Sequence, residues 1–436
     1  MIDRRDRTFL GALALLTVIY LFLFGYYLGA TGLRVPVFDV IYWVIHYIDH
    51  WRTGDWWAYL WAPHNGHRLI WSRLLLVADL EWTGGSAIPF LVFGIACVIV
   101  LIGAILQEVW ASALAPGPQA TVSLLVVLLL ASSYNAIDCG APQLGVYLHT
   151  CAFAVLSLVL WGGAGEGGTW ANARRIGALV AAVSAAFGVS GGLLIWPVLH
   201  WAAWRGKLGL RWIVVLWITG GCLIALYVPG MTDPGIMPSF DPMDFLHMAD
   251  YVIRFLGLPW SHASALVDLG RVLGAATLSL GCYAILNFGI IHTPRSRLDR
   301  IAVGMLLFAF MMAAIITVGR VNIAPDREMP IRYTLFTSLA QVGLVLVAGP
   351  WLARLWATRR RGLIQAAILA GGVLFLVQQI LAGQAGIEGV ARYTMAYRDF
   401  EAGRTVPDLE LLLGDRRSVE RVLAYVHAHG LYRIDR

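Results

Sequence analysis

The residues best suited to chemistry lie between Arg34 and Trp82, where ionisable side chains are mixed with tryptophan and tyrosine. Carboxylates and imidazoles can exchange protons, and arginines can bind anions through forked hydrogen bonds. Amphipathic aromatic rings are enriched where a membrane meets water. This mixture predicts an active-site region at a membrane surface. Its candidate side chains are Asp39, His46, Asp49, His50, His64, His67, Arg68 and Asp79.

Asp39 is the first candidate for a general base. It closely follows the first long apolar run and opens a segment with helical periodicity. At about 100° per residue, Asp39 shares one helix face with His46 and His50. A carboxylate on that face suits general-base catalysis on a polar substrate at the interface. The alternative is an N-cap role, in which Asp39 accepts a backbone N–H at the helix start.

His46, Asp49 and His50 form a second candidate group, which would contact the acceptor or support Asp39 from behind. Two histidines four residues apart can bind a metal when further ligands join them. No fuller ligand pattern follows in the sequence, so we assign no metal and keep a divalent ion as the minor alternative. A further carboxylate, Asp79, either forms a structural ion pair with a nearby arginine or lies near the general base.

The motif PHNGHR at residues 63–68 predicts an anion site. Asn-Gly is a turn signal, and this turn places two histidines and an arginine at the start of the next helix. A helix N-terminus carries free N–H groups and the positive end of the helix dipole, which attract anions. We therefore predict that His64, His67 and Arg68 bind phosphate. The alternative is a capping turn with interfacial side chains.

Two arginines flank a later loop at the membrane boundary. Arg320 ends one apolar run, and Arg332 and Tyr333 begin the next. Ionisable groups at such depth usually face a cavity or pair with one another. The pattern predicts a site for a lipid-linked phosphate or pyrophosphate. The alternative is that both arginines extend to lipid headgroups.

The composition defines the class of protein. Hydrophobic residues make up 59% of the chain and charged residues 13%, and the mean hydropathy is +0.72. Soluble domains carry about 25% charged residues, so we predict an all-α polytopic membrane protein. The net charge is +6, but the arginines cluster in short loops as membrane topology requires, which argues against nucleic-acid binding. Five scattered cysteines form no CxxC or His/Cys pattern.

Apolar windows of about 20 residues predict about eleven spans, with the N-terminus in the cytoplasm. The run at 176–204 is too long for one span, and the glycines of GVSGG at 188–192 predict two short helices joined by a turn. With this count, the arginine clusters at 174–175, 295–297 and 359–361 all fall inside. The predicted location is a bacterial inner (cytoplasmic) membrane.

The topology divides the chain into two parts. Residues 1–383 form a transmembrane domain whose outer loops at 34–86, 229–262 and 320–333 carry amphipathic surface helices. Residues 384–436 form a mixed polar tail on the periplasmic, or extracytoplasmic, side, with one helical stretch.

Polar and small residues at 134–138 and 184–192 lie at predicted outer helix ends. Small residues let helices approach closely, so helix packing is the favoured interpretation of both segments. The alternative is that they line the active-site cavity from its far side.

This layout resembles the GT-C superfamily of integral-membrane glycosyltransferases. The similarity lies in an N-in first helix, a long first outer loop with an early acid, surface helices, short helix pairs and about eleven spans over residues 1–383. Members of that superfamily use polyprenyl-phosphate-linked sugars, and an acid in the first outer loop acts as general base on the acceptor. Asp39 stands at the matching position, although Val40 replaces the second acid that many members carry.

The resemblance implies a glycosyltransferase that moves a sugar from a polyprenyl-phosphate carrier to a glycan, lipid or protein acceptor at the outer face. It implies no cofactor besides this donor substrate, and the expected partners include membrane lipids but no nucleic acid. Asp39 would take the acceptor proton, while Arg320, Arg332 and the 64–68 turn would bind the carrier phosphate. Two alternatives stay open: a transporter or flippase of lipid-linked glycan, and a His-dependent acyltransferase or ligase.

Overall fold

The computed structural model describes residues 4–164, 169–231, 242–261, 267–292, 294, 296–320, 330–407, 409 and 414–432. This part of the chain contains helices and no strand. The helices are α1 (Arg4–Ala30), α2 (Asp39–His46), α3 (Trp56–Trp61), α4 (Ile70–Trp82), α5 (Ile88–Trp110), α6 (Pro116–Leu130), α7 (Ser133–Gly140), α8 (Gly145–Ala164), α9 (Ala171–Ala186), α10 (Ile195–Arg205), α11 (Leu210–Tyr227), α12 (Pro242–Leu256), α13 (Val267–Ala284), α14 (Arg297–Arg320), α15 (Thr334–Trp356), α16 (Arg361–Glu401) and α17 (Arg416–His429).

Helices long and apolar enough to cross a membrane dominate the architecture. The described residues contain eight of them, or nine if the bent pair α6–α7 is one span. The prediction of an all-α polytopic membrane protein is therefore confirmed. The predicted count of eleven also requires α9 and α10, which have 16 and 11 residues and are shorter than a full span. That count stays a prediction.

The long apolar run at 176–204 is broken where its glycines predicted a turn. Helix α9 ends at Ala186, a 3₁₀ turn occupies Ser190–Leu194, and α10 begins at Ile195. A Cβ on Gly192 would collide with the Ala185 carbonyl. Glycine is therefore required for the close approach of the two helix ends.

Loops that the predicted topology places on the same side of the membrane lie at the same end of the helix bundle. At one end, Glu108 of α5 pairs with Arg297 of α14 at 2.5 Å, and Asp6 of α1 pairs with Arg361 of α16 at 3.2 Å. All four residues belong to segments predicted to be cytoplasmic. Exposed tryptophans, typical of a membrane interface, surround this end: Trp110, Trp170, Trp204 and Trp351.

The centre of the bundle is formed by α8, α14 and α15. Their most apolar windows are 72%, 61% and 67% buried inside the protein, whereas those of α1, α5 and α11 are 28%, 33% and 22% buried. An apolar helix that is buried on most sides lies among other helices, and one that is mostly exposed lies against lipid. Helices α8, α14 and α15 therefore form the rigid frame for the loops at the other end.

Helix α16 does not stop at the predicted domain boundary. It runs without a break through 41 residues, from Arg361 to Glu401, and crosses residue 383. At 1.5 Å per residue its length is about 60 Å, roughly twice the hydrocarbon thickness of a bilayer. The second half of α16 therefore extends beyond the membrane, so residues 384–401 continue the last span instead of starting a separate tail.

The last helix, α17, packs on α2 of the first outer loop. Asp415 accepts a hydrogen bond from the Tyr42 hydroxyl at 3.1 Å, and Arg421 forms an ion pair with Asp49. The predicted helical stretch of the tail is thus confirmed. The aliphatic side chains of α17 join one buried cluster with α2: Val419, Val422, Leu423 and Val426.

The residues that follow α17 also contact the first outer loop. The Tyr432 backbone N–H donates to the Gly84 carbonyl at 2.9 Å, and the Tyr432 ring is buried against Gly85. Gly85 has a φ of 81°, and a Cβ there would meet the ring. The C-terminal segment therefore covers the first outer loop from α2 to the start of α5.

The other two predicted outer loops are described in part. Helix α12 lies within the 229–262 loop and leaves Phe245 and Leu246 exposed, as predicted for a surface helix. Residues 232–241 and 262 of that loop and residues 321–329 of the 320–333 loop lie outside the described residues. The described ends of the 320–333 loop nevertheless contribute to the site.

Candidate functional site

A cavity of about 410 Å³ opens at the end of the bundle where α1 and α14 end and α8 and α15 begin. A cavity of this size fits a small ligand or the polar head of a larger one. Its walls come from the first outer loop, α8 and the turn before it, the turn between α9 and α10, α14, α16 and the turn before α15. The polar and aromatic lining residues are Phe38, Asp39, Trp43, His64, Asn65, His67, Gln143, Tyr147, Arg320, Arg332 and Tyr393.

Asp39 begins α2 but does not cap it. The N-cap position belongs to Phe38, which has a φ of 49° and no side-chain capping bond. The Asp39 carboxylate lies 3.1 Å from His64 Nε2 and 3.5 Å from Asn65 Nδ2, and its side chain is 40% exposed at the cavity. The capping alternative is therefore excluded, and the carboxylate can be reached from the cavity.

The turn at residues 64–67 brings two imidazoles to the cavity. His64 and His67 exchange two backbone hydrogen bonds, each 2.8 Å long. Asn65 and Gly66 have φ values of 46° and 73°, the positive pair that a tight hairpin turn of this type requires. Asn-Gly thus fixes the loop, as the sequence predicted. His64 then contacts Asp39, and His67 lines the cavity beside it.

Arg320 and Arg332 line the same cavity. Arg320 is the last residue of α14, and Arg332 lies in the 3₁₀ turn before α15, with its guanidinium 5.4 Å from the centre of the Tyr333 ring. Among the ion pairs between described residues, none includes either arginine. Two positive charges are therefore available to an anion in the cavity.

The charges around Asp39 favour its ionised form. Burial, the largest single effect, raises the pKa of Asp39, but the hydrogen bond and charge of His64 together with the charges of Arg332 and His67 outweigh it. The net result is a pKa below the ordinary value of 3.8. The carboxylate is thus negatively charged at neutral pH, as a general base must be before it takes a proton.

Arg68 is placed differently from the prediction. Its side chain is buried and does not line the cavity. The guanidinium donates to the carbonyls of Trp61, Tyr227 and Pro229, and it lies 4.7 Å from the centre of the Trp61 ring. Arg68 therefore fastens the end of α11 to the first outer loop. Phosphate binding by its guanidinium would require these bonds to break.

The second candidate group also lies outside the cavity lining. The rings of His46 and His50 stack 5.8 Å apart, and the Asp49 carboxylate is paired with Arg421. Residues 47–51 form a π-helical turn, so they do not continue the register on which the common face with Asp39 was predicted. These residues connect α2 to the C-terminal helix.

Asp79 and Tyr333 have structural contacts. Asp79 is buried, accepts from the Thr83 hydroxyl at 2.6 Å and from the Ala87 backbone at 2.9 Å, and so fixes the turn between α4 and α5. Its burial raises its pKa to about 6. Among the described residues, Asp79 forms no ion pair with an arginine. Tyr333 packs behind the cavity wall, with its ring 5.5 Å from that of Tyr147.

Several lining residues were not predicted. Gln143 lies in the turn before α8, Tyr147 lies in the first turn of α8, and Tyr393 comes from the part of α16 that extends beyond the membrane. Val189 of the turn between α9 and α10 also lines the cavity, and Ser190 bonds to His67. The alternative that the 184–192 segment reaches the cavity is therefore correct for this turn. An aromatic residue at the end of an unusually long apolar helix is the one sequence signal that points to Tyr393.

Asp138 is an acid of the 134–138 segment, for which the sequence favoured helix packing over a place in the cavity lining. It lies on α7, is 1% exposed, and its two carboxylate oxygens have no hydrogen-bond partner among the described residues. Its position within the bent pair α6–α7 places an ionisable group inside the bundle. It does not line the cavity.

Comparisons of the chain with protein-family models, with curated proteins and with solved structures find no match. Its function is therefore inferred from the cavity itself. Among the described residues, no group of three or more His, Cys, Asp or Glu side chains is arranged to hold a metal ion.

Proposed function

We propose that the protein is a membrane glycosyltransferase that uses a polyprenyl-phosphate-linked sugar. The observation that carries the proposal is the joint presence of one ionised carboxylate and two arginines without an ion-pair partner among the described residues around a single cavity. Glycosyl transfer to a hydroxyl needs a base for the acceptor and positive charge for the leaving phosphate. Asp39, Arg320 and Arg332 supply these two requirements.

The reaction assigns one role to each group. The acceptor oxygen attacks the sugar carbon that bears the phosphate, and the bond from that carbon to the phosphate oxygen breaks. Asp39 takes the proton of the acceptor hydroxyl, and the released lipid phosphate keeps the bonding electrons. Arg320 and Arg332 stabilise the negative charge that develops on this phosphate.

The position of the cavity fits a substrate that is part lipid and part sugar. It lies where several apolar helices end, so a lipid chain can remain in the bilayer while its polar head enters. The aromatic rings of Tyr147 and Tyr393 line the cavity and offer apolar surfaces to a sugar. The acceptor is a glycan, a lipid or a protein, and the proposed setting is the outer face of a bacterial inner membrane.

Replacing Arg332 with glutamine tests the phosphate site. We expect the dissociation constant of a polyprenyl-phosphate-sugar to rise about 10- to 100-fold, because a charged hydrogen-bond donor is lost. The pKa of Asp39 should also rise, because Arg332 helps to lower it. Activity that needs ionised Asp39 is lost as the pH falls through this pKa, so the acid limb of the pH–rate profile should move to higher pH. The dissociation constant of the donor and the pH–rate profile can be measured with purified protein in nanodiscs.

Arg271 provides the matched control for Arg332. Its side chain is 47% exposed, lies near Asp250 and Asp268, and does not line the cavity. Arg271→Gln should therefore leave both donor binding and the acid limb unchanged. Unchanged donor binding in Arg332→Gln would contradict the proposed phosphate site.

A second candidate function is supported by the 3.1 Å contact between His64 Nε2 and Asp39. A carboxylate that orients an imidazole is the arrangement of a histidine general base, as in enzymes of acyl transfer. In that case His64 would take the proton and Asp39 would hold the ring. From sequence, this alternative used the outer histidines, with His67 as the base to be tested; the contact with Asp39 favours His64 instead.

Replacing His64 with glutamine separates the two functions. If Asp39 is the base, His64→Gln keeps a hydrogen-bond donor for Asp39 and should lower kcat only about three- to tenfold. If His64 is the base, the loss should be about 10²- to 10⁴-fold. His46→Gln, which changes an imidazole outside the cavity, is the control and should retain full activity. The measurement is kcat with a lipid-linked sugar and with an acyl donor.

A further inference from the structure

The turn between α9 and α10 makes two contacts with His67. The Ser190 backbone N–H donates to His67 Nδ1 at 3.2 Å, and the Ser190 hydroxyl oxygen lies 2.8 Å from the same nitrogen. A backbone N–H can only donate, so Nδ1 must accept and carries no hydrogen. The hydrogen of a neutral imidazole is then on Nε2. Since Nδ1 is occupied by Ser190, Nε2 is the nitrogen left for a ligand.

The backbone of this turn is held in place on both sides of Ser190. The Val189 N–H donates to the Thr150 hydroxyl at 2.9 Å, and that hydroxyl lies 3.2 Å from the Ala185 carbonyl oxygen. A Cβ on Gly188 would collide with the Thr150 hydroxyl, and one on Gly192 with the Ala185 carbonyl. The glycines of GVSGG thus allow a packing that fixes the direction of the Ser190 N–H.

The surroundings of His67 keep its ring neutral. The pKa of His67 is lowered to about 4, chiefly by burial and next by the charge of His64. Asp39 and the backbone at Gly66 act in the opposite direction, and Arg320 acts with His64. The charged groups that act on the ring are thus His64, Asp39 and Arg320, and Ser190 bonds to it directly. His67 is therefore uncharged between about pH 5 and 8.

We propose that Ser190 is a positioning residue that holds His67 with its hydrogen on Nε2, so that the ring acts as a neutral hydrogen-bond donor to the substrate phosphate. This inference rests on the proposed function. A neutral donor stabilises a phosphate oxygen without adding a positive charge that would pair with Asp39. His67 and Asp39 then have separate roles in one cavity.

Nitrogen NMR of the intact protein in nanodiscs tests the tautomer. The ring signals of ¹⁵N-labelled histidine are assigned to His67 by their loss in His67→Gln. We expect a protonated Nε2 and an unprotonated Nδ1, both unchanged between about pH 5 and 8. A hydrogen on Nδ1, or protonation of the ring near the ordinary pKa of about 6.5, would overturn the inference. This measurement does not depend on any enzymatic activity.

Ser190→Ala tests the positioning role. It removes the shorter of the two contacts and leaves only the 3.2 Å backbone bond to Nδ1. We therefore expect the second tautomer to become partly populated, the pKa of His67 to rise because the neutral ring loses a donor, and kcat to fall about three- to tenfold. Ser190→Thr keeps a hydroxyl and should restore the tautomer of His67, its pKa and kcat to those of the wild-type protein. Ser157→Ala, which removes a buried hydroxyl on α8 bonded to Ala178, controls for general effects on packing.

The outcomes separate this inference from the proposed function. If the wild-type protein transfers no sugar from any lipid phosphate but His67 has the expected tautomer and responds to Ser190→Ala, only the proposed function fails. If transfer occurs while Ser190→Ala leaves the tautomer, the pKa and kcat unchanged, the positioning role of Ser190 fails.

Discussion

Asp39→Asn should reduce sugar transfer about 10²- to 10⁴-fold, the contribution of a general base in enzymes of known mechanism. Asparagine keeps the size of the side chain and its contact with His64 but cannot accept a proton. Donor binding should change little, because Arg320 and Arg332 remain. The measurement is kcat and the donor dissociation constant for purified protein. The predicted signature is a loss confined to kcat.

The control for this prediction is Asp268→Asn, which removes a carboxylate with a 95% exposed side chain at the start of α13. It should leave kcat unchanged. Full transfer activity in Asp39→Asn would exclude this residue as the base. A fall in kcat together with a lower melting temperature would instead indicate that the Asp39–His64 contact stabilises the fold.

Glu108→Ala should give the largest loss of stability, at the end of the bundle opposite the cavity. The Glu108 side chain is 3% exposed and lies 2.5 Å from Arg297, which is 19% exposed. Removing one partner of a buried pair costs about 3–5 kcal/mol, because the remaining charge is left without compensation. The free energy of unfolding in mixed micelles, or the melting temperature in detergent, measures this loss.

Two further variants define the cause of that loss. The double variant Glu108→Met, Arg297→Met removes both charges and should be more stable than Glu108→Ala. Glu420→Ala breaks an exposed pair with Arg416 on α17 and should have little effect. A double variant as unstable as Glu108→Ala would show that packing, and not the uncompensated charge, determines stability at this position.

The parts of the fold that depend on local pattern were predictable from sequence. Apolar length located the long helices, and the glycines at 188–192 located the break between α9 and α10. Asn65 and Gly66 predicted the turn that carries His64 and His67 to the cavity. Each of these features is determined by residues close together in the chain, through helix length or through backbone conformations that glycine and asparagine tolerate.

The parts that depend on contacts distant in sequence were not predictable. Arg68 follows directly after His67, yet it bonds to the carbonyls of Tyr227 and Pro229, at the end of α11 and just beyond it, more than 150 residues away. Asp79 was expected to pair with an arginine, but its carboxylate accepts a hydrogen bond from the nearby Ala87 backbone N–H instead. Tyr393 reaches the cavity because α16 continues past the predicted boundary. In all three cases the sequence identifies a group that needs a partner but does not identify that partner.

The contact between α17 and α2 can form only after nearly the whole chain has been synthesised. The first outer loop buries its apolar side chains against Val419, Val422 and Val426, which are made roughly 340 residues after Leu80. At about 5–20 residues per second, the ribosome needs roughly 17 to 70 s to reach them. During that interval the loop that carries Asp39 lacks its cover. The first outer loop therefore reaches its final packing last, when α17 arrives beside it, and a nascent chain stalled before α17 should carry a less stable loop around Asp39.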